Sequence, residues 1–254
     1  MGYASYGASP ESAKPANPSK TLAKTFGYMA IGLAISALTA FIVAYLFATW
    51  IGNVSAASSD EEMSRILTIY LVVMIASFIG MIIDSAILRM VLVKGKKSIW
   101  VPYIIYALLM GVFLSSFLVI GLSFELIGTA FVVSALVFLG CFLVGYFSKN
   151  DLSPAAFVGM ALLFTIGLTG IFFLLLFILF PALLTLYFII FELAFSLLIL
   201  IVVAIDCHNI KRILGVAENN KNIALYCAFT IYSDFIVLFV RVLRLLVAFF
   251  GNRK

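Results

Sequence analysis

The chain has 254 residues, of which 65% are hydrophobic and only 11% charged, and its net charge is +5. Soluble folds carry about a quarter charged residues, so this composition excludes an ordinary water-soluble domain and makes the bilayer the solvent. The Lys and Arg residues behind the positive excess flank apolar runs, which assigns them to topology and lipid headgroups and excludes a nucleic-acid module.

Residues 1–24 are rich in Ala, Ser, Pro and Lys and hold no apolar core. They read as a flexible cytoplasmic tail, not a cleaved signal, and Tyr6 occupies the position where N-myristoylation wants Ser or Thr. Residues 25–254 form the transmembrane domain. Its apolar runs predict seven spans, at about 26–52, 66–93, 99–122, 126–147, 155–178, 182–205 and 223–249, each long enough for a hydrocarbon core ~30 Å thick. Turn residues or charges mark the breaks, and no break can hold a soluble domain. Cys141, Cys207 and Cys227 fall in or beside apolar spans without CxxC spacing, as buried thiols do. Gly27, Gly32, Gly159, Gly167 and Gly170 are read as close-packing positions between helices. Trp100, Tyr103 and Tyr106 open the third span and read as an interfacial aromatic belt.

Lys and Arg are retained on the cytoplasmic side during insertion. With the N-terminus inside, the inner segments hold Lys14, Lys20, Lys24, Arg89, Lys94, Lys96, Lys97, Lys149, Lys211, Arg212 and Lys221, and the outer loops only Arg65. Arg241, Arg244, Arg253 and Lys254 at the outer C-terminus break the rule. The seventh span is also the most polar, with Tyr226, Thr230, Tyr232, Ser233, Asp234, Arg241 and Arg244 in an apolar frame. Such a helix persists in a membrane only with protein around it, so the seventh segment is either re-entrant or central. The expected fold is an all-α membrane protein of seven transmembrane helices, six wrapped around a central polar C-terminal helix.

Four acids lie within or at the edge of spans: Asp84, Glu192, Asp206 and Asp234. An unpaired charge in hydrocarbon is costly, so each is a candidate functional group. Asp206 falls at the cytoplasmic end of the sixth span, and Glu192, fourteen residues earlier, lies ~21 Å away. Asp234 sits eleven residues into the seventh span, ~16 Å deep, and meets Asp206 if the inner loop dips. Two carboxylates in contact cannot both ionise cheaply and would hold one proton between them, which makes a pH switch. The residues themselves leave open the alternative that each acid pairs with a nearby base such as Arg89, Lys211 or Arg212. Glu192, among Phe191, Leu193 and Phe195, reads as a protonated acid or a hydrogen-bonding partner of another helix, with a pore-lining role as the lesser alternative. His208, two residues from Asp206, points elsewhere on a helix and reads as a solvated interfacial histidine.

Three stretches carry a resemblance. VAIDCHNIKRI at 203–213, IYSDFIVLFVRVLRLL at 231–246 and TAFVVSALVFLGCFLVGYFSKNDLS at 129–153 resemble the sixth helix end, the seventh helix, and the fourth span with its loop in the transmembrane Bax inhibitor motif proteins. The chain departs from that pattern at Ile205, Cys207, His208 and Val237, where the family has Tyr, Thr, Gln and Asn. The resemblance implies a bacterial plasma-membrane protein, a seventh helix surrounded by six, and a pH-sensing pair at Asp206 and Asp234. It further implies a pH-sensitive calcium leak with transient Ca²⁺ at those two residues and no fixed metal, and a basic partner on the second helix, for which Arg89 is the candidate. Asp84, Glu192 and His208 are further accessory candidates.

The expected function is thus passive permeation of Ca²⁺ or other cations through the lipid bilayer, gated by protonation of the pair. A single histidine and the absence of HExxH, GxSxG and P-loop spacing argue against an enzyme, and no cofactor site is visible. The runner-up is a non-conducting regulator that binds another membrane protein, such as a membrane-anchored AAA protease, through the N-terminal tail. A coupled transporter is disfavoured by the missing inverted repeat.

Overall fold

The computed structural model describes residues 18–55, 60–94, 98–148, 159, 184–216 and 221–250, and among them no strand occurs. Six long α-helices carry the fold: α1 Pro18–Ser55, α2 Asp60–Lys94, α3 Trp100–Val119, α4 Phe124–Phe147, α5 Leu184–Val216 and α6 Lys221–Phe250. Each is long and apolar enough to cross a membrane, and together they make a multi-pass integral membrane protein. The first four coincide with the first four predicted spans, while α5 and α6 are the sixth and seventh. The fifth, at 155–178, lies outside the described residues apart from Gly159. Helix α1 begins at Pro18, a residue suited to a first helical turn, so it takes in residues 18–24 that the sequence reading assigned to the tail. Thr25 is buried there and donates to the Thr21 carbonyl at 3.0 Å.

Apolar residues cover every side of these helices because lipid and protein interior reward the same chemistry. On α2, Leu71, Val72, Ile75, Ile79, Ile82 and Ile83 are exposed, as lipid-facing side chains should be. The opposite stripe, Ser77, Met81, Asp84 and Leu88, is buried at alternating spacings of four and three, so Asp84 sits on the protein-facing side.

Helix α6 differs. Of its most apolar stretch 61% is buried, against 17 to 33% in the other five helices, and it touches each of those five. Its buried residues, among them Phe229, Ile231, Tyr232, Phe235, Phe239 and Leu243, cover about half of the helix surface, while Val237 and Arg244 stay exposed on the remaining side. Burial on that side gives its polar groups protein instead of lipid as neighbours.

Where α4 meets α5 the contact depends on Gly145: a Cβ there would run into the backbone carbonyl of Ala204 and crowd Cys207. Of the glycines singled out from sequence, Gly32 is a packing position, with no room for a Cβ beneath Tyr103, whereas Gly27 has nothing within 4 Å. Gly167 and Gly170 lie outside the described residues.

Candidate functional site

Helix α5 does not end at residue 205 as its apolar run predicts; it continues through Asp206 to Val216. The buried positions Val203, Cys207 and Ile210 keep a helical stripe going, while Lys211 and Arg212 stand on the less buried side. Asp206 therefore stands ten residues before the end of α5 and Asp234 thirteen after the start of α6, ~15 and ~20 Å along their axes. The longer α5 thus brings the two heights to within ~5 Å of each other, which corrects the expectation that Asp206 lies at the end of its helix.

The two carboxyl groups are brought within hydrogen-bonding reach of each other. They differ on their remaining sides. The Asn209 side chain, one turn along α5, also reaches Asp206, and the positive charge of Arg89 on α2 acts on it. Asp234 keeps one oxygen, Oδ2, buried without a hydrogen-bond partner among the described residues. The sequence reading did not name Asn209, although its i+3 spacing from Asp206 on a continuing helix is the signal for it. Arg89 remains largely exposed, and no ion pair within 4 Å joins it to Asp206.

Behind the pair, α3 and α6 share a band of hydroxyl groups. Tyr103 is fully buried and Tyr106 nearly so, which corrects their reading as a membrane-interface belt: only Trp100, at the start of α3, stays partly exposed. Tyr103 donates to the Tyr28 carbonyl at 2.7 Å. Ser36 Oγ lies 2.8 Å from the Ala107 carbonyl and 3.0 Å from that of Gly32, so its single proton is directed to them. Tyr232 then donates to Ser36 at 2.5 Å, tying α6 to α1 and α3. Ser233 donates to the Tyr106 hydroxyl at 3.3 Å. Asp84 and Asp234 both lie close enough for their charges to act on that phenol. Asp84 is 6% exposed, and its Oδ2, like that of Asp234, has no partner among the described residues.

Glu192 lies elsewhere on α5. It is 3% exposed and takes a hydrogen-bonded ion pair from Arg241 at 2.7 Å, with Arg244 at 3.6 Å from its other oxygen. The Arg241 guanidinium also stacks 3.9 Å above the Phe195 ring. Glu192 thus makes the hydrogen bond to another helix that was one of its expected readings, and its partner is a charged arginine. The same contact accounts for two of the basic residues that break the charge rule: Arg241 and Arg244 meet their counter-charge inside the helix pair. His208 is corrected as well. It is half-buried at the α4–α5 contact, with Nδ1 3.3 Å from the Gly145 carbonyl, and is not a solvated interfacial side chain. All three cysteines are free, with Cys207 and Cys227 buried and Cys141 partly so.

A family model described as inhibitor of apoptosis-promoting Bax1 matches residues 18–252. No curated protein and no solved structure matches the chain. The family match starts at the first residue of α1, runs through α6 and takes in Asp84, Arg89, Asp206 and Asp234, and the chain therefore belongs to the family of inhibitors of apoptosis-promoting Bax1.

Proposed function

We propose that this protein is a pH-sensitive leak for Ca²⁺ and other cations, gated by the proton held between Asp206 and Asp234. The observation that carries the reading is the contact itself: two carboxyl groups from successive helices, within hydrogen-bonding reach inside a membrane protein. Two like charges at that distance repel strongly in a medium of low dielectric, so a proton between them holds α5 against α6 and its loss drives them apart. The arrangement titrates as one unit, with Asn209 and Arg89 setting the balance on the Asp206 side and Tyr106 and Ser233 on the Asp234 side.

In this reading α6 is the central helix of seven, the other six enclose it, and the cation path runs beside it past carboxylate and hydroxyl oxygen, which suits a hard cation. In the same reading the membrane is a bacterial plasma membrane with the N-terminus in the cytoplasm, an orientation that the charge pattern of the inner segments favours. The protein makes and breaks no covalent bonds and needs no cofactor.

The test is calcium entry into liposomes containing only the purified protein, followed across pH. A flux that changes with pH, and loses that dependence when Asp206 or Asp234 becomes Asn, supports the reading. No flux at any pH would return the protein to the class of non-conducting regulators that act by binding another membrane protein.

A further inference from the structure

The geometry points to a second cation-binding station at Asp84, completed by the hydroxyl groups of Tyr106 and Ser233 and facing Asp234. The inference rests on the leak reading and adds to it a binding site beyond the carboxyl pair itself.

Asp84 is the observation that the gate leaves unexplained. It is 6% exposed in the middle of a membrane-spanning helix, and its Oδ2 has no hydrogen-bond partner among the described residues. A carboxyl group in that setting needs a counter-charge or a donor. Protonation does not remove the need, because the acid's own O–H would then require an acceptor. Arg89 is not the missing partner. It stands five residues further along α2, well round the helix, it is exposed, and its charge acts on Asp206.

Oxygen-bearing side chains lie within electrostatic reach of Asp84. The Tyr106 phenol feels the charge of both Asp84 and Asp234, and it accepts a hydrogen bond from Ser233 at 3.3 Å, the residue next to Asp234. Each acid keeps one oxygen buried without a hydrogen-bond partner among the described residues. All four groups lie in the same half of the membrane: Asp84 ten residues before the end of α2, Tyr106 six after the start of α3, and Asp234 thirteen after the start of α6. Carboxylate and hydroxyl oxygens with no nitrogen or sulfur among them suit a hard cation of the Ca²⁺ or Na⁺ class. Among the described residues no three His, Cys, Asp or Glu side chains are gathered tightly enough to hold a metal ion. An ion at Asp84 would therefore be held by one carboxylate and neutral oxygens, loosely enough to leave again, as conduction requires.

The experiment measures bound radioactive Ca²⁺ on the purified full chain in detergent, alongside calcium flux in liposomes. Asp84→Asn should weaken binding on the order of tenfold and lower the flux, while the pH at which flux changes stays where it is in the wild type. Asp84→Glu, which keeps the carboxylate, should retain binding, and Tyr106→Phe should weaken it. These two variants keep the proposal testable if the Asn variant fails to fold. Unchanged calcium binding and flux in folded Asp84→Asn would overturn the station while leaving the gate intact. Loss of pH dependence in Asp84→Asn would equally overturn it, because it would make Asp84 part of the gate. Wild-type protein that binds Ca²⁺ through Asp84 but carries no flux would keep the site and remove the leak reading.

Discussion

Helices α5 and α6 meet at two polar contacts built from the same kind of acid, and the contacts behave oppositely. At one, Glu192 faces Arg241 and Arg244. At the other, Asp206 faces Asp234. The first joins unlike charges and needs nothing further to hold. The second brings together two groups of like charge, and in the proposed gate it holds only with a proton between them. Fourteen residues of α5, ~21 Å, separate the two, so under the proposed gate one end of the helix pair is held by opposite charges while the other responds to pH. A pinned end gives the responsive end something to hinge against.

Breaking the pinned end should have the largest effect on stability. Glu192→Gln leaves the Arg241 guanidinium, only 16% exposed in its side chain, without a counter-charge. Loss of one partner of such a buried pair costs about 3–5 kcal/mol, which thermal unfolding in detergent would register as a large fall in Tm. Arg241→Gln should match it, and Glu192→Gln with Arg241→Met should recover much of the loss. An unchanged Tm in Glu192→Gln would mean that this contact does not pin the helices.

A smaller effect is expected where the responsive end of α5 rests on α4. Gly145→Val forces a side chain into the Ala204 carbonyl and should cost about 1–3 kcal/mol through overpacking. Because it displaces α5 beside Asp206, it should also shift the pH dependence of flux, which Glu192→Gln should do less. Gly27→Ala, where nothing lies within 4 Å, is the neutral control for added volume.

Tyr232→Phe removes a neutral hydrogen bond to Ser36 and should cost about 1 kcal/mol. Since Ser36 and Tyr232 carry no charge in either state, the pH profile of flux should stay that of the wild type. A shifted profile would bring the α1–α6 contact into the gate and blur the contrast between the two ends.

The smallest effect on stability, and the most diagnostic, belongs to Asp206→Asn and Asp234→Asn. Each keeps the shape and a hydrogen bond while removing one ionisable site, so Tm should move by less than about 1 kcal/mol equivalent. Each should flatten the pH dependence of flux, and the double variant should add little, because coupled sites titrate together. Independent and additive effects of the two substitutions would show that the carboxyl groups do not share a proton.

Six of the seven expected spans are long helices among the described residues, because a hydrocarbon core of fixed thickness imposes a minimum apolar run, and α1 to α4 fall where those runs lie. Asp84, Glu192, Asp206 and Asp234 were legible as exceptions for the same reason, since any acid in such a run stands out. The pairing of Asp206 with Asp234 was within reach of reasoning because the two helices follow one another, so their heights could be compared by counting residues. What each acid otherwise met was decided by the tertiary structure. Glu192 and Arg241 lie 49 residues apart, and Ser36 and Tyr232 lie 196 apart. Nothing local signals such contacts. In a soluble helix an apolar stripe marks the inward face, but in a membrane the lipid-facing and protein-facing sides are both apolar, so Tyr103 and Tyr106 gave no sign in the sequence that they turn inward. The extension of α5 past Asp206 was hidden by a related effect: hydropathy falls where Lys211 and Arg212 reach for the interface, while Val203, Cys207 and Ile210 continue the helix beneath them.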